Sequence, residues 1–260
     1  MTETTVLPPP TDAQLSKMVE PKVMLALPTY DHLEPKATWS LLREVVNTFP
    51  KHAQIHSSVG TLIAQARNQL AYQAVCGYYA GKVTHILWWD SDMLFPQSIK
   101  ETHDNIVYNI GLTARLLRAR QRVVGALCYD RKGDVVIRCM DGTNPKELPE
   151  HGLVQCGATG FACVLMEASV LAEMFERYGD LPFQTPASNK VDTTGVTGMD
   201  KVEKIMRGQK IVGEDIFFYA RLNEMKIPLF IDLDTKVGHL KPMVIGHQAY
   251  DEHDANLQPS

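Results

Sequence analysis

The stretch Thr84-His85-Ile86-Leu87-Trp88-Trp89-Asp90-Ser91-Asp92-Met93-Leu94-Phe95-Pro96 decides how the rest of the chain is read. Ile86 to Trp89 is a continuous apolar run, and it stops abruptly at two carboxylates separated by one residue. Such a run reads as a strand buried on both faces, the habit of a parallel sheet covered by helices. In open α/β sheets ligands gather just beyond the carboxyl ends of the strands, so Asp90 and Asp92 emerge where a ligand belongs. Side chains alternate along a strand, but a chain turning off a strand end can bring residues i and i+2 onto one ligand. Two carboxylates without a thiol favour a hard cation, Mg2+ or Mn2+, shared with phosphate oxygens. The plainer alternative is a polar turn in which an aspartate caps the next helix. Trp88 and Trp89 alternate to opposite faces, and core packing accounts for both.

Upstream, Val23-Met24-Leu25-Ala26-Leu27 reads as a buried first strand, closed by Pro28-Thr29-Tyr30-Asp31. Trp39, Leu42, Val45, Val46 and Phe49 lie near helical spacing and predict a helix over 37–48; 53–58 reads as a short strand. Leu62, Ile63, Ala66, Leu70, Ala74 and Val75 form an apolar stripe that predicts a helix over 61–79, with Arg67 and Asn68 on other faces. Downstream, the pattern predicts a long helix from Pro96 to about Arg118 and strands at 123–128, 160–166 and 228–233. It also predicts a hairpin return at 135–140, a loop at 141–152, and helices at 167–178 and 214–225. Strand alternating with helix argues one α/β domain over 21–245, Rossmann-like, with a mostly parallel central sheet flanked by helices. Residues 1–20, with Pro8-Pro9-Pro10, read as a flexible leader, and 246–260 as a loose tail. The polar, glycine-bearing stretch 185–212 is long for a connection and reads as a candidate lid loop.

Of the 260 residues, 45% are hydrophobic, enough to build a substantial core. A net charge of −4 gives no global pull toward nucleic acid or an anionic membrane. No run of about 18 apolar residues occurs, so no membrane span is expected. The five cysteines, Cys76, Cys128, Cys139, Cys156 and Cys163, are odd in number and form no CxxC pair. They read as buried free thiols in a reducing cytosol, not as a disulfide framework. No basic region followed by an apolar core opens the chain, so no signal peptide is visible and a cytoplasmic location is expected.

Six motifs occur in one order: Pro28-Thr29-Tyr30, Ala66-Arg67-Asn68, Asp90-Ser91-Asp92, Gly157-Ala158-Thr159-Gly160-Phe161, Gly213-Glu214-Asp215 and Gly238-His239. The set resembles the nucleotide-sugar-dependent glycosyltransferases of the GT-A fold, above all small family-2-like enzymes of bacteria and phages. It covers roughly Val23 to His239. The resemblance implies that Asp92 coordinates a divalent ion, Mn2+ or Mg2+, that Asp90 binds the ribose or joins the metal shell, and that His239 completes that shell. It implies that Pro28, Thr29 and Tyr30 line the nucleoside pocket. Arg67 either binds the donor diphosphate or pairs with Asp90 and holds it in place. Gly160 lies in a segment whose small residues would let a sugar approach the main chain, or in a plain turn. In inverting relatives with a Glu-Asp pair at this point the aspartate is the general base, which implies Asp215 as base and Glu214 as acceptor-positioning partner. Carboxylates in a first helical turn are also favoured by the helix dipole alone. The chain departs from the commoner family pattern after the second strand, where His56-Ser57-Ser58 stands in place of an acidic residue.

The implied activity is metal-dependent, inverting transfer of a hexose-like sugar from a nucleoside diphosphate sugar, a UDP-sugar first, to an acceptor hydroxyl. A sugar nucleotidyltransferase is the alternative enzyme, but Pro28-Thr29-Tyr30-Asp31-His32 lacks the glycine-rich basic loop expected there. A non-catalytic nucleotide-sugar binding protein is the third class. Glycan, protein, small metabolite and hydroxylated bases in phage DNA all stay open as acceptors, and a phage gene would place the protein in its host's cytoplasm. The basic run Arg115, Arg118, Arg120 and Arg122, with Arg131 and Lys132, could meet DNA phosphates or be a solvated helix end. His247, Asp251, His253 and Asp254 have metal-compatible side chains at irregular spacing in the tail.

Overall fold

A computed structural model describes residues 21–29, 35–48, 54–96, 99–103, 106–130, 133–185 and 212–240. In chain order its elements are β1 (Val23–Pro28), α1 (Pro35–Thr48), β2 (Gln54–Ser58), α2 (Ile63–Tyr79), β3 (His85–Trp89), β4 (Met93–Leu94), β5 (Ile99–His103) and β6 (Ile106–Ile110). There follow α3 (Leu112–Arg118), β7 (Val123–Cys128), β8 (Ile137–Arg138), β9 (Leu153–Cys156), β10 (Ala158–Thr159), β11 (Cys163–Glu167), α4 (Ala168–Tyr178), α5 (Glu214–Glu224) and β12 (Leu229–His239). The leader, the tail, Tyr30, and the stretch 185–212 apart from its end residues lie outside the described residues, as do Arg131, Lys132 and the histidine–aspartate cluster of the tail.

Eight strands form a mixed, mostly parallel sheet in the order β2-β1-β3-β11-β7-β12-β4, with β9 paired along the first half of β12. β1 pairs in parallel with β2 and β3, and β7 with β12. β11 runs against both of its neighbours, β3 and β7. Two reversals leave β7 pointing the same way as β3. The carboxyl ends of β1, β3, β7 and β12 therefore share one edge with the amino end of β11.

Strand alternation divides the core into two layers. Met24, Ala26, Ile86, Trp88, Val164 and Met166 face α2, α4 and α5, which contribute Leu70, Ala74, Leu171, Met174, Phe218 and Leu222. Val23, Leu25, Leu87, Trp89, Cys163 and Leu165 face α1 and α3, which contribute Leu41, Leu112 and Leu116. Helices on both faces explain why β1 and β7, and β3 after His85, are apolar without interruption. Trp88 meets Phe161 and Phe183 edge-on at 5.6 and 5.3 Å, while Trp89 stacks on Phe95 on the other side. Both indoles are core, on opposite faces.

Four expectations change. The long helix expected after Pro96 is an antiparallel hairpin, β5 against β6, followed by the short α3. Ile99, Ile106, Val107 and Ile110 are β-branched, and this local preference outweighs the loose helical spacing. Residues 135–140 return only through one bridge just past β7, Tyr129 with Val135, and β8 instead pairs with β10; the loop at 141–152 is present, followed by β9 from Leu153, a strand the pattern does not predict. Arg67 and Asn68 are buried: the two terminal nitrogens of Arg67 are engaged by carboxylates while its Nε has no hydrogen-bond partner, and Asn68 exchanges two hydrogen bonds with the Phe183 backbone, at 2.7 and 3.0 Å. Cys128, Cys156 and Cys163 are buried free thiols, but Cys76 is exposed and Cys139 half-buried.

Candidate active site

The shared edge collects Asp90, Asp92 and His239, and it also holds the ends of β1 and β2 and the start of β11. β1 ends at Pro28, and the buried Thr29 donates its N–H to the Ser58 carbonyl at 2.9 Å, which ties the first two strand ends together. Asp90 leaves β3 with its N–H on the Ala162 carbonyl, 3.1 Å away, so the reversed β11 fixes where the carboxylate starts. Gly160 lies between β10 and β11; a Cβ there would meet Val136 at an ordinary 3.5 Å. Gly157 is the tight position of that segment: a Cβ would lie 2.5 Å from the Cys139 carbonyl oxygen.

Arg67 sits behind this edge, projecting from α2. One terminal nitrogen donates to both Asp90 oxygens, at 3.1 and 3.3 Å; the other donates to Glu214 at 2.7 Å and lies 4.0 Å from Asp215. Its guanidinium also covers the Phe161 ring, 5.1 Å from the centroid. Arg67 thus holds the end of β3 against the first turn of α5. Burial works against its charge, but Asp90, Asp215 and Glu214 outweigh burial and keep its pKa above the ordinary value. Burial pushes the Asp90 carboxyl upward; Arg67 opposes this, and the Asp92 and Asp215 charges add to the rise. Glu214 is committed to Arg67. Asp215, 30% exposed, faces the open side of the same turn.

The second junction joins β3 to β12. His239 is the last residue of β12, and its Nε2 lies 2.9 Å from Asp92 Oδ2. Leu240 donates its N–H to the Asp92 carbonyl at 2.8 Å, and Gly238 and His239 pair with β4. The His239 Nδ1 lies 3.1 Å from the Tyr129 carbonyl, which can only accept, so Nδ1 carries the hydrogen. Neutral His239 would then turn its Nε2 lone pair toward a carboxylate oxygen. Two acceptors in contact require a positive charge between them: a proton on Nε2, or a cation shared by imidazole and carboxylate. Fixing one ring nitrogen on a backbone carbonyl is how metal-binding histidines are oriented. The nitrogen–oxygen pair fits a divalent cation on these grounds. Among the described residues no three His, Cys, Asp or Glu side chains surround one metal position. The described residues would supply two ligands to such a cation, whose usual further ligands include phosphate oxygens and water.

Several interactions carry no sequence signal. The Arg67–Glu214 contact joins elements 147 residues apart, and the Tyr129 contact is made by a backbone oxygen. Phe161 stands in the sequence only as the end of a glycine segment, yet it lies under Arg67 and against Tyr219, at 5.1 Å from each. The basic run is partly engaged: Arg115 binds Asp232 and Asp234 at 2.9 and 3.2 Å, and Arg122 binds Glu167 and Glu173.

No protein-family model matches the chain, and no curated protein does. Among solved structures it is similar to GalNAc-T7 crystallised with UDP, GalNAc and Mn2+, with a TM-score of 0.50 and 9% identity. The fold is GT-A-like. That match covers 85% of this chain and 44% of the other, so the chain spans less than half the length of GalNAc-T7. A197 from STIV is also similar, at a TM-score of 0.46 and 10% identity over 86% of this chain and 97% of that one. No described helix is long and apolar enough to cross a membrane.

Proposed function

We propose that this chain is a metal-dependent glycosyltransferase that moves a sugar from a nucleoside diphosphate sugar, a UDP-sugar first, to an acceptor hydroxyl with inversion. The observation that carries the reading is the Asp92–His239 pair, 2.9 Å apart beside an Asp90 clamped by Arg67. The GT-A-like fold and the UDP and Mn2+ of the similar structure support it.

In this reading Asp92 and His239 hold the divalent cation, Mn2+ or Mg2+. The bound cation supplies positive charge for the diphosphate leaving group. Asp90 turns toward the ribose or the outer metal shell. Pro28 and Thr29 would line the nucleoside together with Tyr30, which lies outside the described residues, and the Gly160 segment would pass along the sugar. Arg67 leaves the diphosphate to the cation and keeps Asp90 and Glu214 in register. Asp215 takes the acceptor proton as the hydroxyl oxygen forms its bond to the sugar carbon, and the nucleoside diphosphate departs with the bonding electron pair.

Calorimetric titration with UDP, with and without Mn2+, tests this on the full chain. Mn2+ is expected to tighten UDP binding, and Asp92→Ala or His239→Ala to abolish the gain while the far-ultraviolet dichroism stays unchanged. An equal Mn2+ gain in Asp92→Ala overturns the metal assignment. The absence of any UDP or UDP-sugar binding overturns the donor assignment.

A further inference from the structure

Beyond the donor site, β12 breaks its pairing with β7 in a way the transfer site does not require. Asp232 pairs with Ala126 and Lys236 with Leu127, so Leu233, Asp234 and Thr235 are inserted opposite two consecutive residues of β7. The bulge is strongly held. Asp232, 2% exposed, accepts from Arg115 at 2.9 Å, from Thr235 at 2.8 Å and from the Asp234 N–H at 3.1 Å. Asp234 accepts from Arg115 at 3.2 Å, from the Gly152 N–H at 3.1 Å, and contacts His151 Nδ1 at 2.6 Å. Gly152, at φ +93°, turns the chain so that its carbonyl also accepts the Leu233 N–H at 3.0 Å. Bulges of this kind re-aim strands beside functional sites.

The bulge and the loop tied to it enclose a cleft of about 380 Å³ lined by Leu127, Leu148, Pro149, Glu150, His151, Leu233 and Lys236. That is the size of a small-molecule site. The floor is apolar, from Leu127 and Leu233. The rim carries one carboxylate, one ammonium and one imidazole, with the Asp232 and Asp234 carboxylates behind. Lys236 precedes His239 by three residues, about 10 Å along a strand. Leu127 comes two residues before Tyr129, whose carbonyl orients His239. The cleft therefore lies along the stretches of β7 and β12 that lead to the transfer edge.

We infer that this cleft is the acceptor subsite and that it takes a neutral hydroxylated ring, a sugar residue. The inference rests on the transferase reading above. The apolar floor fits the C–H face of a pyranose, and Glu150, His151 and Lys236 offer acceptors and donors to its hydroxyls. Opposite charges on the rim give no preference for an anion, and the carboxylates behind oppose phosphate, which disfavours a DNA backbone here. Arg115, tied to the same bulge, is engaged by Asp232 and Asp234.

Saturation-transfer NMR on the full chain with methyl glycosides of glucose, galactose, mannose and N-acetylglucosamine at millimolar concentration tests the inference. At least one glycoside is expected to bind. Leu148→Trp, which fills the cleft from a half-buried loop position, is expected to abolish that signal. Lys236→Ala and Glu150→Gln, both at exposed positions, are expected to weaken it by up to about tenfold each, the worth of a hydrogen bond. Thermal unfolding of each variant checks folding, and UDP titration with Mn2+ on the same samples scores the donor reading separately. Absence of binding by every glycoside, or binding untouched by Leu148→Trp and Lys236→Ala in folded protein, overturns the inference. So does cleft-dependent binding of methyl phosphate or of a short single-stranded oligonucleotide in place of the glycosides.

Discussion

Replacing Arg67 by methionine keeps most of the side-chain volume and removes the charge that α2 supplies to the site. The Arg67 side chain is 4% exposed, Glu214 is 14% and Asp90 27%. Methionine leaves two carboxylates facing each other, with Asp215 close by, and no cation within the cluster. Stranding a buried ion-pair partner costs about 3–5 kcal/mol. Asp90 can regain water at its exposed side, so most of that cost falls on Glu214 and the lower end of the range is expected. For a chain of this size, about 3 kcal/mol lowers the melting temperature by roughly 6–12 °C. Thermal denaturation near pH 7.5 without added metal measures this. The double variant Arg67→Met/Glu214→Gln removes the stranded charge and is expected to recover part of the loss, with a coupling of about 1–3 kcal/mol. Arg67→Lys rescues poorly, since one ammonium cannot span both carboxylates as a fork does. A melting temperature within about 2 °C of wild type for Arg67→Met, or strictly additive losses in the double variant, refutes the clamp.

Asp215→Asn is expected to lower transfer by about 10²–10⁴-fold with UDP affinity intact, whereas Glu214→Gln loses stability through its bond to Arg67; near-normal turnover by Asp215→Asn moves the base elsewhere. Burial holds the His85 pKa below its ordinary 6.5, with the Glu167 charge opposing. The unfolded chain then binds more protons just below pH 6.5, so stability is full above that value and declines as pH falls toward the lowered one. Urea denaturation at stepped pH is expected to show this slope, and His85→Gln to flatten it. Burial raises the Cys128 and Cys156 thiols to about 12 and pushes the Cys163 thiol well up too, whereas Cys76 is exposed. A disulfide reagent at pH 8 is expected to modify Cys76 first and those three only on unfolding, read by peptide mass mapping.

The parts of the fold visible in the sequence are those whose pattern is set by burial on a single element. β1, β3 and β7 announce themselves because both faces are covered, and α2 because its apolar stripe meets the sheet. The β5–β6 hairpin was hidden because Ile99, Ile106, Val107 and Ile110 fall near helical spacing while their β-branching favours strands. β9 was hidden because four residues carry too little periodicity, and its pairing with β12 is decided by a glycine turn and a carboxylate 82 residues away. At the site, the residues that converge could be named in advance because strand ends carry their own punctuation. Their pairings could not. Whether Arg67 faced a ligand or Asp90 depended on where α5 docks, and Arg67 proved to bridge Asp90 and Glu214.

Both junctions of the site, Arg67 with Glu214 and Asp92 with His239, close over 147 residues of chain. During synthesis the carboxylates of β3 emerge long before either partner exists. β7 at that stage has no β12 beside it, and no imidazole stands opposite Asp92. Contacts of such separation form late, because the loop must be ordered before they return any energy. In the proposed reading, binding competence therefore arrives with β12: a ribosome-bound fragment that stops short of His239 can carry most of the sheet without the Asp92–His239 pair.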